Sequence, residues 1–126
     1  MPNDILIVMR HGPYGGFQAA EGLRHANGAL SLGFRPVVIF VDDGVYLARA
    51  GQEPGDSQWI SLSETLEAVI ARGLYEKRAA PAEFYVDEAS LCERGLSADD
   101  LVESLVPVGR EKISALWADH ALQMLF

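Results

Sequence analysis

Two short stretches of the chain indicate its architecture: Asp4-Ile-Leu-Ile-Val-Met9 and Pro36-Val-Val-Ile-Phe-Val41. Both are continuous apolar runs rich in β-branched residues, the pattern of a strand that is covered on both faces of a parallel sheet. Between them, residues 17–32 carry apolar side chains at helical spacing, and Gly33 follows where a left-handed residue would end a helix. The chain therefore opens with a strand, a helix and a second strand.

The rest of the chain repeats this order. Apolar spacing and capping residues predict helices over 61–74, 88–94, 98–104 and 109–120, and strands over 83–86, 105–108 and 121–126. Residues 42–44, Asp-Asp-Gly, are predicted to form a turn, in which the glycine can take positive φ. Strands separated by helices imply right-handed crossovers, and hence a three-layer α/β/α sandwich with a mainly parallel sheet of about five strands.

Length, charge and cysteine content exclude several classes of protein. The 126 residues suit a single domain over 1–126 with one core. Ten Lys and Arg against eighteen Asp and Glu leave a net charge of −8, which disfavours nucleic acid and anionic membranes as partners. No apolar run reaches the ~20 residues of a membrane span and no leader opens the chain, so a cytoplasmic location is expected. One cysteine and three scattered histidines make no zinc motif, and neither metal nor cofactor is expected.

The residues that follow the strands are the candidates for function, because the crevice of a parallel α/β sheet lies beyond the carboxyl ends of its strands. These candidate crevice residues are Arg10, His11, Tyr14, Gly15, Asp42, Asp43 and Tyr46.

Arg10-His11-Gly12 is similar to the signature of the histidine phosphatases, in which an imidazole accepts a phosphoryl group. Such an enzyme needs a second histidine beside the first, whereas His25 is predicted inside a helix and His120 just before the last strand. A phosphohydrolase that uses Arg10 and His11 is one alternative. The other is that both side chains only line a loop.

Two further segments have both a chemical and a structural interpretation. The turn Gly12-Pro-Tyr-Gly-Gly16 opens a helix whose free amides could hold an anion, but it lacks the lysine of a phosphate-binding loop and also suits a tight turn. Asp42 and Asp43 could hold a divalent cation or act as an acid/base pair. No third acidic ligand stands at the spacing of a metal-binding motif. Hydrogen bonding of the aspartate side chains within a turn is therefore the simpler account of Asp42 and Asp43.

The single cysteine, Cys92, lies in a predicted helix. Lone cysteines are often buried and inert, and the neighbouring charges oppose one another, since Arg94 favours a thiolate and Glu93 disfavours it. Whether the thiol is reactive or buried is left open by the residues alone.

Several segments together resemble the DsrE/DsrF-like family. They are Gly12-Pro-Tyr-Gly15, Asp42-Asp-Gly-Val-Tyr46 with Gly51-Gln52 after it, Arg72-Gly-Leu-Tyr75 and Met124-Leu-Phe126. The most specific stretch, residues 85–103, looks like the DsrF/TusC branch in particular.

The resemblance implies a three-layer α/β fold, assembly of related subunits, and transfer of sulfane sulfur as a cysteine persulfide. In DsrE/TusD-type subunits the acceptor cysteine directly follows the strand before this helix, and the matching position here is Asp87. Cys92 lies about one and a half helical turns further on, so the catalytic role does not carry over to it. The resemblance thus implies an accessory subunit whose partners are DsrE/TusD-type and other sulfur-relay subunits. An active persulfide carrier that uses Cys92 is the alternative.

Large apolar side chains in or near the loops predict a contact face. They are Phe17, Tyr46, Leu47 and Trp59. Aromatic residues are enriched in the cores of interfaces, so a homo-oligomer is expected in isolation and a hetero-oligomer with related subunits.

Overall fold

Five strands form one sheet in a computed structural model that describes residues 3–52, 55, 61–78 and 80–126. The strands are β1 Asp4–Met9, β2 Arg35–Phe40, β3 Glu83–Asp87, β4 Val106–Val108 and β5 Gln123–Leu125. Their order across the sheet is β4-β3-β2-β1-β5, and every neighbouring pair is parallel. The predicted parallel α/β sheet of five strands is confirmed.

The helices connect these strands. They are α1 Gln18–Ser31, α2 Gly44–Leu47, α3 Leu62–Tyr75, α4 Glu88–Glu93 and α5 Arg110–Asp119. Gly33 has a φ of 84°, so the predicted left-handed residue after α1 is confirmed.

The first face of the sheet carries the larger core. Its inward side chains, among them Ile7 and Phe40, are fully buried under α1 and α3, which contribute Leu23 and Leu66 to the same cluster. Buried apolar area of this kind is the main source of folding free energy.

The second face has a smaller core. Leu6, Val8, Val37 and Ile39 are covered here by α5, whose Leu116 packs onto them. With α1 and α3 on one face and α5 on the other, the sheet is the middle of three layers, as predicted. At its two edges this face leaves Val106 50% exposed and Leu125 51% exposed.

The predicted helix over 98–104 is wrong in its length. Residues Ala98–Asp100 form one 3-10 turn, and the chain then becomes extended at Leu101, which makes an antiparallel bridge to Arg49. The physical reason is burial: Leu101, Val102 and Leu105 all enter the core, which a solvent-facing helix would not allow.

Charged side chains pair at the end of the sheet where the first three strands begin, and Asp4 among them is buried. Arg35 donates two hydrogen bonds to the carboxylate of Asp4, one of them 3.0 Å long from Nε to Oδ1, and lies 3.4 Å from a carboxylate oxygen of Glu83. Hydrogen bonding from Arg35 lowers the pKa of Asp4 and outweighs the opposing effect of burial. His120 reaches the same place, with its Nε2 4.0 Å from Oδ2 of Asp4.

The predicted contact face is only partly present. Phe17 is 76% exposed and Tyr46 is also exposed, but Leu47 is fully buried, so its assignment to the surface is wrong. The reason is that residues 44–47 form the short helix α2, and Leu47 lies on the side that joins the core. Trp59 lies outside the described residues.

Candidate functional site

The carboxyl ends of three adjacent strands bring together residues that are far apart in the chain. Arg10 follows β1, Asp42 comes two positions after β2, and Asp87 ends β3. Because the strands are parallel neighbours, these side chains occupy one edge of the sheet, which we call the carboxyl edge.

Asp42 has a backbone conformation that is unusual for a residue other than glycine, with a φ of 50°. Its backbone N–H donates a hydrogen bond of 2.9 Å to Oγ of Ser90, a residue of α4. The expectation that Gly44 supplies the positive φ of this turn is wrong. Gly44 is needed for another reason: a Cβ at that position would lie 1.9 Å from the carbonyl oxygen of Met9. The loop after β2 is therefore pressed against the end of β1.

Asp87 is buried at the start of α4, and its relative exposure is 7%. Its Oδ2 accepts hydrogen bonds from the hydroxyl of Ser90 at 2.6 Å and from the backbone N–H of Ser90 at 3.3 Å. Ser90 therefore links the backbone of Asp42 to the carboxylate of Asp87. The other carboxylate oxygen, Oδ1, is buried and has no hydrogen-bond partner within the described ranges.

The remaining carboxylates at this edge are exposed and pair with nearby arginines. Arg10 lies 3.8 Å from Oδ2 of Asp42, and both side chains are more than half exposed. The guanidinium of Arg94 donates to Oδ1 of Asp43 at 3.0 Å and to the carbonyl of Ser90 at 3.2 Å. Exposed pairs of this kind contribute little to stability, about 0–1 kcal/mol each.

Cys92 is exposed, on α4. The structure therefore excludes the interpretation of Cys92 as an inert core thiol. Its neighbour Glu93 pairs with Arg94 at 3.7 Å and with Arg110 at 3.6 Å.

A cavity of about 400 Å³ opens beside this edge, between the loop after β1 and α2. Tyr14 lines it and Gly15 follows with a φ of 90°, so the loop uses glycine for a tight turn. Tyr46 and Asp43 line its other side.

The three histidines are held apart by separate contacts. His11 is exposed at the carboxyl edge. His25 donates from Nδ1 to the carbonyl of Glu21 at 2.7 Å and its ring lies 4.9 Å from that of Phe126. His120 approaches Asp4 at the opposite end of β1 from His11. This arrangement does not favour the phosphohydrolase interpretation, which needs two histidines side by side.

No three His, Cys, Asp or Glu side chains in the described part of the chain come together in a way that could hold a metal ion. Among the same residues, no helix combines the length and apolar character needed to cross a membrane.

Sequence reasoning missed the role of Ser90 and of Arg49. The signal for Ser90 was available, since Asp87 stands three positions before it at the start of a helix, the spacing of an N-cap. Arg49 lines the cavity and lies in a loop segment without a recognisable pattern, so only the fold places it there.

Comparison with known proteins agrees with this architecture. A profile described as the DsrE/DsrF-like family matches residues 3–124. The chain is 37% identical over 98 residues to an intracellular sulfur oxidation protein, DsrF, of Allochromatium vinosum, which covers 78% of this chain and 67% of that protein. It is 35% identical over 104 residues to a TusC homolog of Pseudomonas aeruginosa, covering 80% of this chain and 79% of that one. The crystal structure of the ychN protein from E. coli shares the fold, with a TM-score of 0.80 at 19% identity over 98% of this chain and 99% of the other. The chain belongs to the DsrE/DsrF-like family.

Proposed function

We propose that the chain is a subunit of an intracellular sulfur-relay complex that does not carry the persulfide itself. The observation that carries this proposal is Asp87. It occupies the position that the family resemblance assigns to the acceptor cysteine, and it is buried and hydrogen-bonded to Ser90. Persulfide exchange requires a thiolate, and a carboxylate cannot take its place as nucleophile or carrier. Two relatives, named for intracellular sulfur oxidation and as a TusC homolog, support the same role.

The role of such a subunit is to assemble with a cysteine-bearing paralogue. Phe17 is exposed near the carboxyl edge, and its burial in a contact would supply apolar area that the monomer leaves in water. We infer that the partners are DsrE/TusD-type subunits, and that the chain forms a homo-oligomer when it is alone.

Light scattering tests the assembly. The expected mass exceeds one chain of 13.7 kDa over a hundredfold range of concentration. Phe17 and Leu32 offer a matched pair of variants, since they flank the two ends of α1 and are 76% and 78% exposed. Phe17→Ser should reduce the mass and Leu32→Ser should not. A single-chain mass for the unmodified protein, in the presence and absence of the paralogue, contradicts the proposal.

An active carrier that uses Cys92 is the second candidate, favoured by the exposure of that thiol. The two candidates differ in what Cys92→Ser does. If the chain is an accessory subunit, a complex that contains the variant transfers sulfur at the rate of the unmodified complex. Persulfide on the isolated chain after incubation with a sulfur donor, seen by mass spectrometry and lost in Cys92→Ser, would establish the carrier instead.

A further inference from the structure

One arginine, Arg49, lines the cavity beside the carboxyl edge, and its pairing differs from that of the neighbouring arginines. Arg10, Arg94 and Arg110 each lie within 4 Å of a carboxylate oxygen. Arg49 also lies at this cavity and is exposed, and its guanidinium has no hydrogen-bond or ion-pair partner among the described residues. A cation at the rim of a concave site is the group that would hold an anionic ligand.

The backbone that carries Arg49 is held firmly. The side-chain Nε2 of Gln52 lies within hydrogen-bond distance of the carbonyl oxygens of Tyr46, Leu47 and Arg49, at 2.9, 3.0 and 2.8 Å, and its two hydrogens are shared among them. On either side of Arg49, the backbone of residues 48 and 50 bonds to that of residues 102 and 100, at 2.9 and 2.8 Å. A binding group on a braced segment loses little conformational entropy when a ligand arrives.

The other residues that line the cavity indicate the size and polarity of the ligand that it would bind. The rings of Tyr14 and Tyr46 line the cavity together with the buried Pro13, so it offers aromatic and apolar surface. Asp43 also lines it, and the whole chain carries a charge of −8, so a ligand with several negative charges is disfavoured. A volume of about 400 Å³ suits a small molecule.

We propose that the cavity lined by Tyr14, Tyr46 and Arg49 binds a small aromatic monocarboxylate, with the carboxylate on the Arg49 guanidinium and the ring against the two tyrosines. The fork of an arginine matches the two oxygens of a carboxylate, which explains this anion rather than a compact halide. The site belongs to the isolated chain and does not depend on sulfur transfer or on a partner subunit.

Isothermal titration of the full chain with phenylacetate and with its neutral analogue phenylacetamide tests the site. The two probes differ in charge and share the ring. Phenylacetate is expected to bind with a dissociation constant on the order of 1 mM, and phenylacetamide about tenfold more weakly. Arg49→Gln should remove the difference between them. Arg110→Gln changes an exposed arginine outside the cavity and should preserve the difference.

A variant of the ring separates the two halves of the site. Tyr46→Leu should weaken the binding of both probes by the same factor, because it removes aromatic surface and leaves the guanidinium of Arg49 in place. Equal affinity of the unmodified chain for acid and amide overturns the proposal, as does an absence of heat at 10-fold the expected constant, roughly 10 mM. A loss of affinity for phenylacetate in Arg110→Gln that is as large as the loss in Arg49→Gln also overturns the proposal. Circular dichroism confirms that each variant is folded, and none of these outcomes bears on assembly with a paralogue.

Discussion

The two ends of the same three strands treat charge in opposite ways. Where β1, β2 and β3 begin, Asp4, Arg35 and Glu83 form a compact cluster in which Asp4 is buried and doubly hydrogen-bonded. Where the strands end, Arg10 and Asp42 are half exposed and loosely paired, and Oδ1 of Asp87 has no hydrogen-bond partner in the described part of the chain.

This contrast indicates that the carboxyl edge is the end suited to binding. Charges that pair with one another, as at the first end, stabilise the fold and are less available to a ligand. The unusual backbone of Asp42 and a buried carboxylate oxygen that has no donor among the described residues both lie at the carboxyl edge, the place where open α/β sheets bind their ligands. The cavity there has a volume of about 400 Å³, against about 270 Å³ for a cavity that Asp4 and Arg35 line at the other end. Substitutions at the two ends would test this division between a stabilising end and a binding end.

The largest expected effect comes from the closest approach at the carboxyl edge. Gly44→Ala would place a Cβ 1.9 Å from the carbonyl oxygen of Met9, and backbone cannot move aside cheaply. We expect the free energy of unfolding to fall by more than about 3 kcal/mol. Gly28→Ala is the matched control, because nothing lies within 4 Å of its added Cβ in α1. It should raise stability by up to about 1 kcal/mol. Urea denaturation measures both, and equal effects would contradict the close approach.

At the other end, Asp4→Asn should lower the free energy of unfolding at neutral pH by about 3 kcal/mol, because it leaves Arg35 with half of its partners. The pKa of Asp4 is lower in the folded chain than its ordinary value of 3.8, so its stabilisation is present above that pH and is lost as the pH falls through the folded pKa. The difference in the free energy of unfolding between the unmodified chain and the variant should therefore be constant above about pH 5 and should shrink in more acidic solution. A difference that grows with acid would sink this account.

A smaller effect is expected for the link between the strand ends. Ser90→Ala removes the hydroxyl that bonds to the backbone of Asp42 and to the carboxylate of Asp87, leaving both without that partner. We expect a loss of about 2 kcal/mol. Ser31→Ala removes an exposed hydroxyl and should change stability by less than about 0.5 kcal/mol. If the two variants unfold at the same urea concentration, Ser90 does not link the two strand ends.

The smallest effect concerns the cysteine. Cys92 is exposed, so Cys92→Ser should leave the free energy of unfolding within about 0.5 kcal/mol of the unmodified chain. The native protein should also react with a thiol reagent at one site without denaturant. Failure to label until the chain is unfolded would show that the thiol is covered in solution.

Local patterns were enough for the regular elements. Sequence patterns predicted β1, β2, α1 and α3 to within one residue at each end. A strand that is buried on both faces is a continuous apolar run, and a helix that is buried along one stripe repeats its apolar residues every three to four positions, so both patterns can be recognised in the sequence. The prediction of Arg10, Asp42 and Asp43 as neighbours at one edge also needed only the parallel order of the strands.

Features that depend on contacts distant in sequence were beyond that reasoning. The helix expected over 98–104 shrinks to Ala98–Asp100, since Leu101 pairs with Arg49 some fifty residues away. Leu47 looked like a surface residue, yet α2 turns it inward. The burial of Asp87 and its bond to Ser90, the positive φ of Asp42 and the close approach of Gly44 to Met9 are likewise decided by which elements pack together. Periodicity reports which side of an element is covered, whereas only the tertiary structure determines what covers it.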